Sequence, residues 1–87
     1  MSSDDKVLYI FYGKWLPTYK RILNISFEGV LLRPIEIIDQ EKALYGLMER
    51  YNFTLNVLPS YLIVQGEMSK FLQGLISEEE LKILLDK

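Results

Sequence analysis

Residues 6–12 read Lys-Val-Leu-Tyr-Ile-Phe-Tyr, and after the lysine no position offers a polar side to water. A strand with one solvated face would alternate; this run predicts a central strand buried on both faces. At six residues, the apolar stretch is far too short to cross a bilayer. In a chain of 87 residues, 49% of them hydrophobic, such a strand belongs to a single domain. A chain this short buries only about 60–65% of its unfolded surface. Its stability therefore rests on the core that 15 leucines and 9 isoleucines supply.

The rest of the pattern is ordered around that strand. Gly13-Lys14-Trp15 breaks the run, and Pro17 suits a first helical turn, where a missing N–H costs nothing. Leu16, Tyr19, Ile22, Leu23 and Phe27 recur at spacings of three and four, which predicts a helix over 17–27 closed by Gly29. Residues 30–38 form a second strand, and Pro34 within it cannot donate to a ladder, so it belongs at a sheet edge. Asp39 is placed as the N-cap of a helix with stripe Ala43, Leu44, Leu47, Met48 and Tyr51. Residues 52–56 read as a connecting loop. Residues 58–64 and 68–72 form a hairpin around Gln65-Gly66-Glu67. Ser77 and Glu80 make a capping box for a last helix carrying Leu81, Leu84 and Leu85. The order is βαβαββα. A right-handed crossover makes the first two strands parallel neighbours, and the hairpin is antiparallel. A four-stranded mixed sheet of order 2-1-3-4, an α/β architecture, satisfies both. Residues 1–6 are expected to fray and 7–87 to form the domain.

Cysteine and histidine are both absent. Disulfides, thiol nucleophiles, Cys/His zinc sites, histidine-ligated haem and a Ser-His-Asp relay are excluded with them. Ten basic and twelve acidic residues give a net charge of −2, which argues against nucleic acid as a partner. No glycine-rich phosphate motif and no calcium-loop spacing is present, so no cofactor is expected. Asp4, Asp5 and Lys6 precede the apolar run where a secretory signal would have a basic region, so an intracellular, cytoplasmic protein is expected. The two sequons, at Asn24 and Asn52, then read as chance matches. The wealth of Ile, Leu, Tyr, Lys and Glu is the usage expected of a thermophile.

Several segments, in order, resemble the thioredoxin and glutaredoxin superfamily. The apolar strand 7–12 runs into Trp15-Leu16-Pro17-Thr18-Tyr19-Lys20, like that family's strand and its W-C-x-x-C-K motif. Asp39-Gln40, Leu58-Pro59-Ser60, Gln65-Gly66-Glu67 and Gly74-Leu75-Ile76-Ser77 are similar to the family's aspartate, cis-proline loop, hairpin turn and last-helix entry. The resemblance implies a compact thioredoxin-like fold with a cis Leu58–Pro59 bond beside Leu16 and Tyr19. Those two residues stand where the family has its catalytic thiols. Neither forms a thiolate, so the family's redox activity does not carry over.

What the resemblance leaves is recognition. The residue before the cis-proline presents main-chain groups to an extended peptide, a role that needs no thiol. Trp15 and Tyr19 would wall the groove as aromatic anchors. The expected contact set is Trp15, Leu16, Tyr19, Leu58 and Pro59, and the expected function is a redox-inactive module binding a protein or extended peptide. Two alternatives stand beside it. One is self-association, a homodimer pairing along the edge strand 68–72, where Lys70 is the evident blunting charge. The other is a glutathione-transferase-like enzyme using a tyrosine such as Tyr12. Lys14, Lys20 and Arg21 read as a solvated helix face.

Overall fold

A computed structural model describes residues 6–86. The elements are β1 (Lys6–Tyr12), α1 (Tyr19–Leu23), β2 (Val30–Glu36), α2 (Glu41–Tyr51), β3 (Ser60–Gln65), β4 (Met68–Gln73) and α3 (Glu78–Leu85). The sheet order is β2-β1-β3-β4, with β1 and β2 parallel and the other pairs antiparallel. Both the βαβαββα order and the 2-1-3-4 sheet match the sequence pattern. Pro34 lies opposite Ile10, exposed on the edge strand β2, where its missing N–H breaks no second ladder.

β1 is covered on both faces. Leu8 and Ile10 join Ile22 of α1, Tyr61 of β3, and Leu81 and Leu85 of α3 in one core. Phe11 joins Ile35, Leu44 of α2, Leu62 and Val64 in the other. α1 thus packs on one face of the sheet and α2 on the opposite one.

Several boundaries differ from expectation. Lys6 does not fray but opens β1, pairing with Val30 and Gln65, and its Nζ donates to the Leu85 carbonyl at the end of α3. The rest of the expected tail, residues 1–5, lies outside the described residues. The helix expected over 17–27 is only Tyr19–Leu23, and Asn24 ends it with its N–H on the Arg21 carbonyl. Ile25 and Phe27 still pack against the first core from non-helical chain, so their spacing signalled burial rather than helix. β2 stops at Glu36 instead of residue 38, and the N-cap of α2 is Gln40 instead of Asp39. Finally, β3 begins at Ser60 rather than Leu58, since Pro59 has no N–H for a ladder. Of the expected capping box of α3, the Ser77 half is formed, with Ser77 Oγ accepting the Glu80 N–H at 3.2 Å.

Candidate functional site

Parallel pairing carries β1 and β2 to the same end of the sheet, where Tyr12 lies opposite Glu36. Antiparallel β3 starts at that end, with Ser60 opposite Phe11. The segments 13–18 and 37–40 therefore leave the sheet at that end, and the chain enters β3 there through Leu58 and Pro59. Topology, not local sequence, makes them neighbours.

Trp15 is 57% exposed although it is the chain's single tryptophan. Its ring lies over the Gly13 backbone so closely that a Cβ on Gly13 would meet it at 2.4 Å. Glycine is thus required for the indole to rest there. Leu16 is half-buried and closes a turn through its N–H to the Gly13 carbonyl at 3.0 Å; the Tyr19 N–H reaches the Leu16 carbonyl at 3.2 Å. Tyr19 stacks on Tyr12 with centroids 6.3 Å apart and planes 3° from parallel. Tyr12 is buried beneath it, its ring engaged in packing.

Leu58 is half-buried against the second core and Pro59 is buried. The bond between them is cis. The Pro59 carbonyl accepts the Gly74 N–H at 2.9 Å. All five expected contact residues thus lie at one end of the sheet. Among the described residues, however, no hydrogen bond or ring contact joins Leu58 or Pro59 to Trp15, Leu16 or Tyr19. None of the five lines either of two clefts elsewhere, of about 760 and 610 Å³.

The most heavily bonded polar group at this end was not among the expected ones. Glu36 is 4% exposed. Its Oε1 accepts the N–H groups of Ile38 at 2.5 Å and Asp39 at 3.0 Å, and its Oε2 accepts the Lys14 N–H at 2.9 Å. Its own N–H donates to Gln40 Oε1 at 3.0 Å. Donation from the Asp39 and Lys14 amides holds the Glu36 carboxyl below the usual carboxylate range, against the opposing effect of burial. This capture of the Ile38 and Asp39 amides also explains why β2 ends where it does. Asp39, displaced from its capping role, pairs with Lys14 Nζ at 2.7 Å, and that bond raises the Lys14 pKa. The one trace of Glu36 in the sequence is a lone carboxylate inside Ile35-Glu36-Ile37-Ile38. Elsewhere, burial raises the Tyr61 pKa, countered by an N–H from Ile76. Among the described residues, no cluster of three or more side chains could hold a metal ion, and no helix is long and apolar enough to cross a membrane.

Solved thioredoxins share this architecture. A point mutant of thioredoxin from Halobacterium salinarum superposes with a TM-score of 0.63 at 22% identity, over 98% of this chain and 75% of that one. Plasmodium falciparum thioredoxin gives 0.64 at 18% identity, over 95% and 81%. The chain has the thioredoxin fold. Thioredoxin O2 from Arabidopsis thaliana adds a third likeness, 0.64 at 17% identity over 95% and 74%. No family model and no curated protein sequence matches the chain. A thioredoxin fold without cysteine has no thiol with which to attack or resolve a disulfide.

Proposed function

We propose that the chain is a redox-inactive binding module that holds an extended segment of a protein partner at the loop end of its sheet. Trp15, Leu16, Tyr19, Leu58 and Pro59 form the contact set. The observation that carries this reading is Trp15 itself: a large aromatic ring left 57% exposed while seated on the Gly13 backbone. Exposed rings with few degrees of freedom are the usual anchors of protein interfaces. Leu58 and Pro59 enter β3 at the same end, and strand-like recognition through main-chain groups needs no thiol.

The test is selection of peptides from a display library on the immobilised protein, followed by titration against Trp15→Ala. That substitution should weaken a selected peptide by about 1–3 kcal/mol while leaving the melting temperature in place. Failure to select any peptide, or indifference to Trp15→Ala, would move the functional surface elsewhere. A second reading has its own observation. β4 is the outer strand opposite the proline-bearing edge, and Met68 on it is 77% exposed. In that reading two copies pair along β4, and a monomer's elution volume at every concentration would dismiss it.

A further inference from the structure

We infer that Glu36 is the positioning residue of this site, joining the loop that carries Trp15 to the loop that leads into α2. What Trp15 meets rests on the reading above; the junction itself does not.

The two oxygens of the carboxylate do different things. Oε1 serves its own side, taking Ile38 and Asp39 directly after β2. Oε2 crosses to the neighbouring strand's loop and takes the Lys14 N–H, 22 residues away. If Glu36 merely terminated β2, one oxygen would suffice. Lys14 stands between Gly13, on which the indole rests, and Trp15, which carries it. Oε2 therefore holds the centre of the segment that poses the ring.

The neighbouring ion pair does not replace this bond. Lys14 Nζ and Asp39 sit at 64% and 56% side-chain exposure, where such pairs contribute little. A buried carboxylate also cannot be exchanged for its amide here. Both of its oxygens accept, whereas glutamine has one acceptor and a donor in place of the other. Glu36→Gln can satisfy one loop but must face the other with an N–H against an N–H.

The junction also couples the two layers. Gly13 to Thr18 lead into α1 on one face of the sheet, and Ile38 to Gln40 lead into α2 on the other. Ile38, 65% exposed, follows the junction on one side as Trp15 does on the other. Both loops thus present their apolar side chains from one rigid body, which lowers the ordering cost of binding.

The test compares wild type, Glu36→Gln and Asp39→Asn by amide hydrogen exchange and by Trp15 emission, which no second tryptophan obscures. In Glu36→Gln, the Lys14 amide, or those of Ile38 and Asp39, should exchange about tenfold faster or more. The anisotropy of Trp15 should fall, while the β1 amide of Ile10 keeps its protection. Asp39→Asn should leave the Glu36-bound amides as they are. Unchanged exchange and emission in Glu36→Gln would overturn the inference, and so would acceleration at Ile10 by the same factor, which marks general destabilisation. If Glu36→Gln does not fold, acid titration of folded Asp39→Asn decides. There the charged group facing Glu36 is the Lys14 ammonium, which stays protonated in acid. The Lys14 amide shift and Trp15 emission should follow the Glu36 carboxyl, and separate midpoints would overturn the inference. A peptide selected on wild type should bind Glu36→Gln about tenfold more weakly, and equal binding would remove the positioning role. If no peptide is selected, the proposed function falls, and exchange and emission still decide the junction.

Discussion

On one face of the sheet, α1 and α3 lay Ile22, Leu81 and Leu85 onto Leu8, Ile10 and Tyr61. On the other, α2 brings Leu44 with Leu47, Met48 and Tyr51, and the irregular segment 52–59 adds Phe53, Leu55 and Leu58. There Phe53 stacks on Phe71 at 4.4 Å and meets Phe11 at 5.5 Å, with Phe11 and Phe71 6.4 Å apart. The first face is covered chiefly by aliphatic side chains of α1 and α3, with Ile25, Phe27 and Ile76 added from non-helical chain. The aromatic face needs no helical period, because one rigid ring buries as much area as several aliphatic contacts. A loop can therefore act as a layer of the core when it carries an aromatic at the right place. Asn52 makes that placement possible: its left-handed conformation, φ 55°, ends α2 and turns Phe53 back toward the sheet.

The contrast breaks most readily at Phe11, the fully buried centre of the aromatic cluster. Phe11→Ala should cost about 3–5 kcal/mol in urea titration, much of the total stability of a small domain. A loss below about 1 kcal/mol would mean that the aromatic side is not a true core. Phe53→Ala sharpens the point, since the loop is the unusual element. As half-buried cover it should lose about 2 kcal/mol. A mere connector would move by no more than about 0.5 kcal/mol.

The loop end that joins the two faces gives a pH signature. Because the folded Glu36 carboxyl is held below its usual range, its contribution is present at neutral pH and is lost as pH falls through the folded pKa. The decline begins below about pH 4.3. Glu36→Gln should be less stable than wild type at pH 7, with the gap closing across that acidic window. A gap independent of pH would show that the charge is not what the amides require. The smallest effect belongs to α2, where Gly46 sits inside the helix with open space where a Cβ would go. Gly46→Ala should stabilise by about 0.5–1 kcal/mol. A loss there would mean that the helix surface meets something which the aliphatic and aromatic faces do not explain.

The architecture was legible in the sequence because it depends on short-range rules. An apolar run without alternation makes β1 central, a proline without a donor sends β2 to the edge, and Ser77 with Glu80 starts α3. The absence of cysteine settles the thiol chemistry by composition alone. Leu16, Tyr19, Leu58 and Pro59 could be marked as one group from the resemblance, and their common sheet end follows from strand order. Tertiary structure decided the rest. Ile25 and Phe27 keep a helical spacing but reach the core from a turn, since burial fixes which side chains point inward and not how the backbone gets them there. Phe53 looked like part of a connector until its ring met two strands. Glu36 drew no notice inside the expected strand 30–38, because its role depends on an amide 22 residues away meeting it across a parallel register. Local pattern reports what a residue's immediate backbone tolerates. Which distant donors a buried carboxylate will find is settled only when the strands align.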